Sequence, residues 1–188
     1  MEAKKHIITI AGGPGSGKSS AAKGVARALG YTHFSSGDLF RQLAKEQGVD
    51  LLSANLSAEQ NTELDNAVDG RLQEINETGS DLVIDSRTAW HWISSSFKVF
   101  LQLDLNTAAR RILAKVDDER STSEKIDPTQ YVESLKSRLD SENRRYKTLY
   151  NIDPYKLDNY HLIIDTTNTS PEEVVQKIVQ AYHDWLAV

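Results

Sequence analysis

"AGGPGSGKSS", residues 11–20, sets four glycines and a proline in the space of one strand end and follows them with a lysine and two serines. Side chains over such a stretch would keep a ligand away from the backbone, and glycines remove them. Residues 12–19 fit G-x-x-x-x-G-K-[ST], which builds a phosphate-binding loop when it lies between a strand and a helix. Both flanks meet that condition. The apolar run 6–11 reads as the strand, and Ala22, Val25, Ala26 and Leu29 keep helical spacing up to a stop at Gly30. The backbone of Gly12, Gly13, Gly15, Ser16 and Gly17 is therefore expected to cradle a phosphate chain, with Lys18, Ser19 and Ser20 opening the helix behind it. Lys18 supplies a full charge to the outer phosphates, and Ser19 offers a hydroxyl to Mg²⁺. The alternative is a glycine-rich turn with no ligand, which the complete motif in this context disfavours.

Working outward, three more apolar runs, 82–85, 98–103 and 160–165, are continuous rather than alternating, as parallel strands covered on both faces require. A fifth, weaker candidate is "YTHFSS" at 31–36. Helical patterns fall between them at 37–48, 57–78, 107–116 and 130–149, and a last helix opens at "SPEEVV". There Ser170 is the cap, Pro171 sits in the first turn and Glu173 completes a capping box. Strands alternating with helices imply one α/β domain with a five-stranded parallel sheet, its ligand over the C-terminal edge. Residues 116–128, charged and poor in apolar side chains, read as a mobile excursion.

Bulk composition narrows the function. With 188 residues the chain suits one domain with a sizeable core. A net charge of −5 disfavours a nucleic-acid polymer as partner. The sequence has no cysteine, which excludes disulfides and thiolate metal sites. No apolar run approaches a membrane span, and the first one is too short for a signal peptide, so a cytoplasmic protein is expected. His33, His91, His161 and His183 make no ligand cluster, and no zinc site is expected. "LVID", residues 82–85, ends an apolar strand in an acid, as a metal-holding Asp85 would; a capping aspartate is the alternative. No N-K-x-D or T-K-x-D motif occurs, which argues against a GTPase switch.

One helix carries a further signal. Leu135, Leu139, Tyr146 and Leu149 mark an apolar stripe along 130–149, and the same spacing puts Glu142 inside it. Arg138 and Arg145 lie four residues before and three after that carboxylate, both on its face. A carboxylate there needs partners. It is either a buried ion-pair network or a site where Arg, Glu and Arg meet a polar ligand.

The whole pattern resembles the nucleoside monophosphate kinases, and most closely the short cytidylate kinases of archaeal type. The resemblance rests on "ITIAGGPGSGKSSAAKGVARALGY", "SSGDLFRQLAKEQG", "DSR" at 85–87, "SENRRYKTLYNID" at 141–153 and "DTTNTSPEEVV" near the end. It implies a P-loop kinase that phosphorylates CMP, and dCMP, from ATP with Mg²⁺ held by Ser19 and Asp85; a monomer is expected. It also implies an acceptor-binding segment over 36–80 and a lid over 116–128. Arg41 would grip the acceptor phosphate, with Ser36, Gly37 and Asp38 shaping the turn, and Arg87 would be a second clamp beside Asp85. Arg138, Glu142 and Arg145 would contact the acceptor nucleotide, with Glu where the family commonly has Asp. Lys18, Arg41, Arg87 and the lid arginines Arg111 and Arg120 form the implied catalytic set. Arg110 is a further lid candidate. Two departures stand out: Ser86 replaces a usual glycine, and Val116 stands where a basic residue is expected. Trp90 and Trp92 either line the base pocket or serve packing. The same fold could serve AMP or another small acceptor, and a regulatory module that binds ATP without turnover is the reading from a different class.

Overall fold

Every residue of β1 (Ile7–Gly12) is buried, as a strand covered on both faces must be. Side chains alternate along it. Ile8 and Ile10 point to one face of the sheet, where they meet Val25, Ala26, Ile178 and Tyr182, while Ile7 and Ala11 point to the other. The computed structural model describes residues 5–48, 62–119 and 127–188. Its sheet joins β1 to β2 (Thr32–Ser35), β3 (Leu82–Asp85), β4 (Phe97–Gln102) and β5 (Leu162–Asp165), all parallel, in the order β2-β3-β1-β4-β5. The expected five-stranded parallel sheet is the one observed. The chain leaves β1 toward one side and later crosses to the other, so a crevice opens at the C-terminal ends of β1, β3 and β4.

Seven helices are described: α1 (Lys18–Leu29), α2 (Ser36–Glu46), α3 (Thr62–Thr78), α4 (Ala89–Trp92), α5 (Leu105–Glu119), α6 (Pro128–Tyr150) and α7 (Pro171–Ala187). The capping box at Ser170 and Glu173 forms as the sequence implies. Behind it, α7 sets Val174, Ile178 and Tyr182 against α1 and the sheet. Burying side chains of that size stabilises by ~1.5–3 kcal/mol each before chain entropy is counted. On the opposite face, Val68, Leu72 and Ile75 of α3 cover Ile7 and Ile84, and Trp90, Tyr146 and Tyr160 cover Ala11 and Phe100. Thus α3 and α6 share the face over which the crevice opens. Ala108 and Ala109 of α5 accept Val132 and Leu135 of α6, and their small size lets the two helices pair closely.

Several boundaries differ from the sequence reading. Residues 116–119 continue α5, and Asp127 and Pro128 cap and open α6, so both ends of the expected excursion are helical. The rest of it, 120–126, lies outside the described residues, as do 57–61 of the expected third helix and 49–61 of the acceptor segment. Leu149 leaves the α6 stripe: it is 37% exposed. The half-buried Tyr150 packs beside Tyr146 in its stead, because a helix of 3.6 residues per turn drifts relative to a strict stripe. The single turn α4 is too short to show periodicity in sequence.

Candidate active site

The loop after β1 carries three glycines with positive φ, Gly12, Gly15 and Gly17. A side chain at Gly12 (φ 148°) would place its first carbon 2.4 Å from the Leu101 carbonyl oxygen, because β4 runs directly alongside. Gly17 (φ 86°) occupies the N-cap of α1, where it offers no side chain to the first N–H groups of the helix. Those donors and the positive end of the helix dipole are left for an anion. Ser16 donates to the Gly13 carbonyl at 2.9 Å, and the Lys18 ammonium donates to the same oxygen at 2.9 Å. The loop is thereby braced by its own side chains, with Gly15 packed on Ala108 of α5.

Strand register brings the next residues to the same level. Asp85 pairs in register with Ile10 on one side and with Ser35 on the other. Asp85 accepts a hydrogen bond from the Ser19 hydroxyl, and its backbone carbonyl accepts one from Ser36 at 3.3 Å. The first turn of α1, the end of β3 and the start of α2 therefore meet at one sheet edge. A hydroxyl beside a carboxylate, on a phosphate loop, is the oxygen donor set that Mg²⁺ takes together with phosphate and water oxygens.

A cavity of about 420 Å³ opens there, and it gathers ten of the residues that the sequence singles out: Lys18, Ser19, Ser36, Gly37, Arg41, Asp85, Arg87, Arg138, Glu142 and Arg145. Asp38 stands beside the cavity, ion-paired with Arg41, and its amide donates to Ser35 at 3.2 Å. Arg111 is placed elsewhere: its guanidinium donates to the Thr166 and Thr167 carbonyls at 2.7 and 3.2 Å, after β5, and it does not line the cavity. Arg120 lies outside the described residues. Ser20 is exposed on the first turn of α1.

The α6 carboxylate has a different pair of partners from the two that helical spacing suggests. Glu142 meets Arg138 at 3.1 Å and Arg87, from the end of β3, at 3.2 Å. Arg145 turns instead to Asp65 of α3, at 3.6 Å. Burial opposes the charge on Arg87, but the Glu142 carboxylate together with Tyr146 and Tyr155 outweighs it, and the guanidinium is held above its usual range. Lys18 has no such relief. Desolvation, aided by the positive charge of Arg87, lowers its pKa to about 7 against the opposing pull of Asp85 and Glu142.

Ser86, where the resemblance leads to a glycine being expected, is buried and braces the turn that follows β3. Its hydroxyl accepts from the amides of Thr88 and Ala89, at 3.2 Å each, at the start of α4. Trp90 packs edge-on to Tyr160 and donates its indole N–H to the Arg87 carbonyl at 2.8 Å. Trp92 packs edge-on to Tyr150. Both tryptophans support the wall; neither lines the cavity.

Asp65, Asp69, Tyr146 and Tyr150 also line the cavity, and none of the sequence motifs nominates them for it. A signal for the acids is present. Leu64, Val68, Leu72 and Ile75 set the buried stripe of α3, and Asp65 and Asp69 fall next to it, one turn apart and both buried. The polar character of the segment as a whole hides them.

The chain is similar to known proteins over most of its length. A family model described as an AAA domain matches residues 11–130. The chain is 36% identical over 182 residues to a cytidylate kinase of Natronomonas pharaonis, covering 94% of this chain and 90% of that one. It is 34% identical over 182 residues to a cytidylate kinase of Sulfurisphaera tokodaii, covering 96% of each. In fold it resembles the shikimate kinase of Bacteroides thetaiotaomicron, with a TM-score of 0.61 at 14% identity over 97% of this chain and 98% of that one.

Proposed function

The chain belongs to the cytidylate kinase family, and from that premise we propose that it transfers the terminal phosphoryl group of ATP to CMP, and to dCMP, yielding ADP and the nucleoside diphosphate. The observation that carries this reading is one cavity with a phosphate loop at one end and four arginines, Arg41, Arg87, Arg138 and Arg145, along its walls. Two phosphate-bearing partners need opposed cationic clamps, and planar guanidinium groups hold phosphate oxygens two at a time.

The roles divide by position. The loop 12–17 and the N-terminus of α1 hold the ATP phosphates, and Lys18 neutralises charge on the group in transfer. Mg²⁺, when bound, would sit on Ser19 and Asp85 and supply charge neutralisation between the outer ATP phosphates. Arg41 and Arg87 hold the acceptor phosphate. The described parts of the 36–80 segment form the acceptor side of the cavity. An acceptor phosphate oxygen is already a competent nucleophile, so no strong base is required, and positioning with charge neutralisation carries the reaction. The enzyme is proposed to act as a monomer in the cytoplasm, and sedimentation at micromolar concentration tests the monomer.

Among the described residues no helix is long and apolar enough to cross a membrane. The deciding experiment is ADP release from ATP and Mg²⁺ with CMP, dCMP, UMP, AMP and GMP as separate acceptors. CMP and dCMP are expected to give the highest kcat/KM. Preference for AMP or GMP overturns the acceptor assignment, and ADP release independent of any acceptor overturns the kinase reading.

A further inference from the structure

The cavity is electrically two-ended. Cations surround the phosphate loop and the α6 face, whereas α3 presents Asp65 and Asp69, which are 9% and 7% exposed. Asp69 is already occupied, since Tyr150 donates its hydroxyl hydrogen to it. Asp65 has an ion pair but no such donor: its Oδ2 atom is buried, stands 3.6 Å from Arg145, and accepts no hydrogen bond among the described residues. A buried carboxylate oxygen without a donor costs free energy, and native proteins leave few such atoms without a purpose. The facing guanidinium of Arg145 donates to the Tyr146 hydroxyl at 3.4 Å, but its Nε also lacks a hydrogen bond among the described residues. Beside this pair, Tyr146 and Tyr150 lie nearly parallel, with ring centroids 6.2 Å apart, and Phe40 and Val68 line the same space. Flat aromatic walls with one waiting acceptor suit a flat ring that carries a hydrogen-bond donor on its edge.

We propose that Asp65 selects the base of the acceptor, accepting a hydrogen bond from the 4-amino group of cytosine; this rests on the acceptor assignment made above. Cytosine and uracil rings differ at that edge in a way a carboxylate reads directly. The amino group donates to it, whereas the 4-oxo group of uracil sets two acceptors face to face and leaves both unpaired. Sites that hydrogen-bond a substrate group reject the analogue lacking it more strongly than apolar pockets reject a change of size. The desolvation that lifts the Asp65 carboxyl above its usual pKa range, against the pull of Arg145, is relieved when a ligand donor arrives.

The test has two arms. In the unaltered protein, kcat/KM is compared for CMP, UMP and the monophosphate of 2-pyrimidinone riboside, which lacks the 4-substituent. CMP is expected to exceed both by ~10-fold or more. In Asp65→Asn the amide can donate to the uracil 4-oxo group, and the CMP-to-UMP ratio is expected to fall by ~10–100-fold. Loss of the counter-charge to Arg145 slows CMP and UMP alike, so the ratio isolates the base. An unchanged ratio in Asp65→Asn, or an unaltered protein that uses CMP and the 2-pyrimidinone analogue equally, overturns the base-reading role while leaving the CMP kinase reading intact. Failure of the unaltered protein on every pyrimidine monophosphate overturns both.

Discussion

Glu142 on α6 meets Arg87, at the end of β3, at 3.2 Å, and so ties a helix that flanks the cavity to the strand edge from which the acceptor clamp projects. Arg87 is nearly enclosed, and without a counter-charge a guanidinium there would be destabilised. Glu142→Ala is expected to lower kcat/KM for CMP by an amount worth ~2–5 kcal/mol at most, the range for truncating one partner of a buried charged pair. The KM for ATP should move far less. Steady-state kinetics with each substrate varied, set beside the thermal midpoint of the same variant, check this. A large loss of stability with normal CMP kinetics would make the contact purely structural.

Lys18 is expected to be dispensable for folding and indispensable for turnover. Among the described residues its ammonium braces only the Gly13 carbonyl, so Lys18→Ala should keep the native circular dichroism while kcat falls by ~10²–10³ or more. Turnover near that of the unaltered protein in a folded variant would remove the loop from the chemistry.

The same residue should make nucleotide binding take up protons. With its folded pKa lowered to about 7, Lys18 is largely neutral at pH 8, whereas an unfolded lysine stays charged up to about 10.5. A depressed lysine pKa means that the unfolded state binds more protons between those values, so this group makes stability rise with pH across that window. Bound phosphates reverse the depression by favouring the ammonium. Calorimetry of ATP binding at pH 8 in buffers of different ionisation enthalpy should therefore show proton uptake that Lys18→Met abolishes. Equal proton counts in both proteins would refute it.

How much of this is legible in sequence follows from the range of the forces involved. The phosphate loop, the parallel strands and the Ser170 cap are local patterns, and each reads within a residue or two of its observed place. Glu142 is legible as an acid in an apolar register, but its partner Arg87 lies 55 residues away in the chain, and helical spacing alone nominates Arg145. Arg145 is claimed by Asp65, a pairing that exists only because α3 and α6 lie on the same face of the sheet. Asp65 and Asp69 escape a sequence reading for a similar reason: a mostly polar helix gives each acid a solvated explanation until its burial is known.

Asp85 accepts from the Ser19 hydroxyl, and both oxygens are donors suited to a hard cation. Asp85→Asn keeps the size of the side chain and removes its charge. The expected result is a higher Mg²⁺ concentration for half-maximal rate, with ATP binding in the absence of metal unchanged or tighter. Titration of activity against Mg²⁺ at saturating ATP measures the first, and fluorescence of a bound nucleotide analogue measures the second. An unaltered Mg²⁺ dependence would assign Asp85 to the loop scaffold alone.

Arg41 and Arg87 are expected to act on one phosphate from two different energetic settings, and that contrast separates their variants. Arg41 pairs with Asp38 on the open side of α2, with the two side chains 57% and 66% exposed. Exposed pairs of this kind are worth ~0–1 kcal/mol, so Arg41 can leave Asp38 for a phosphate at little cost. Arg41→Ala should raise the KM for CMP, leave the KM for ATP nearly unmoved, and shift stability by no more than ~0.5 kcal/mol. Arg87→Ala should match it in the acceptor defect but also lower the thermal midpoint, because Glu142 keeps only the half-exposed Arg138 as its partner. Arg41→Lys should recover little, since an ammonium cannot copy a bidentate contact. Kinetics and melting curves of the three variants decide the matter: equal effects on ATP and CMP would end the clamp assignment, and an unchanged midpoint in Arg87→Ala would show that the Arg87–Glu142 contact contributes nothing to the fold.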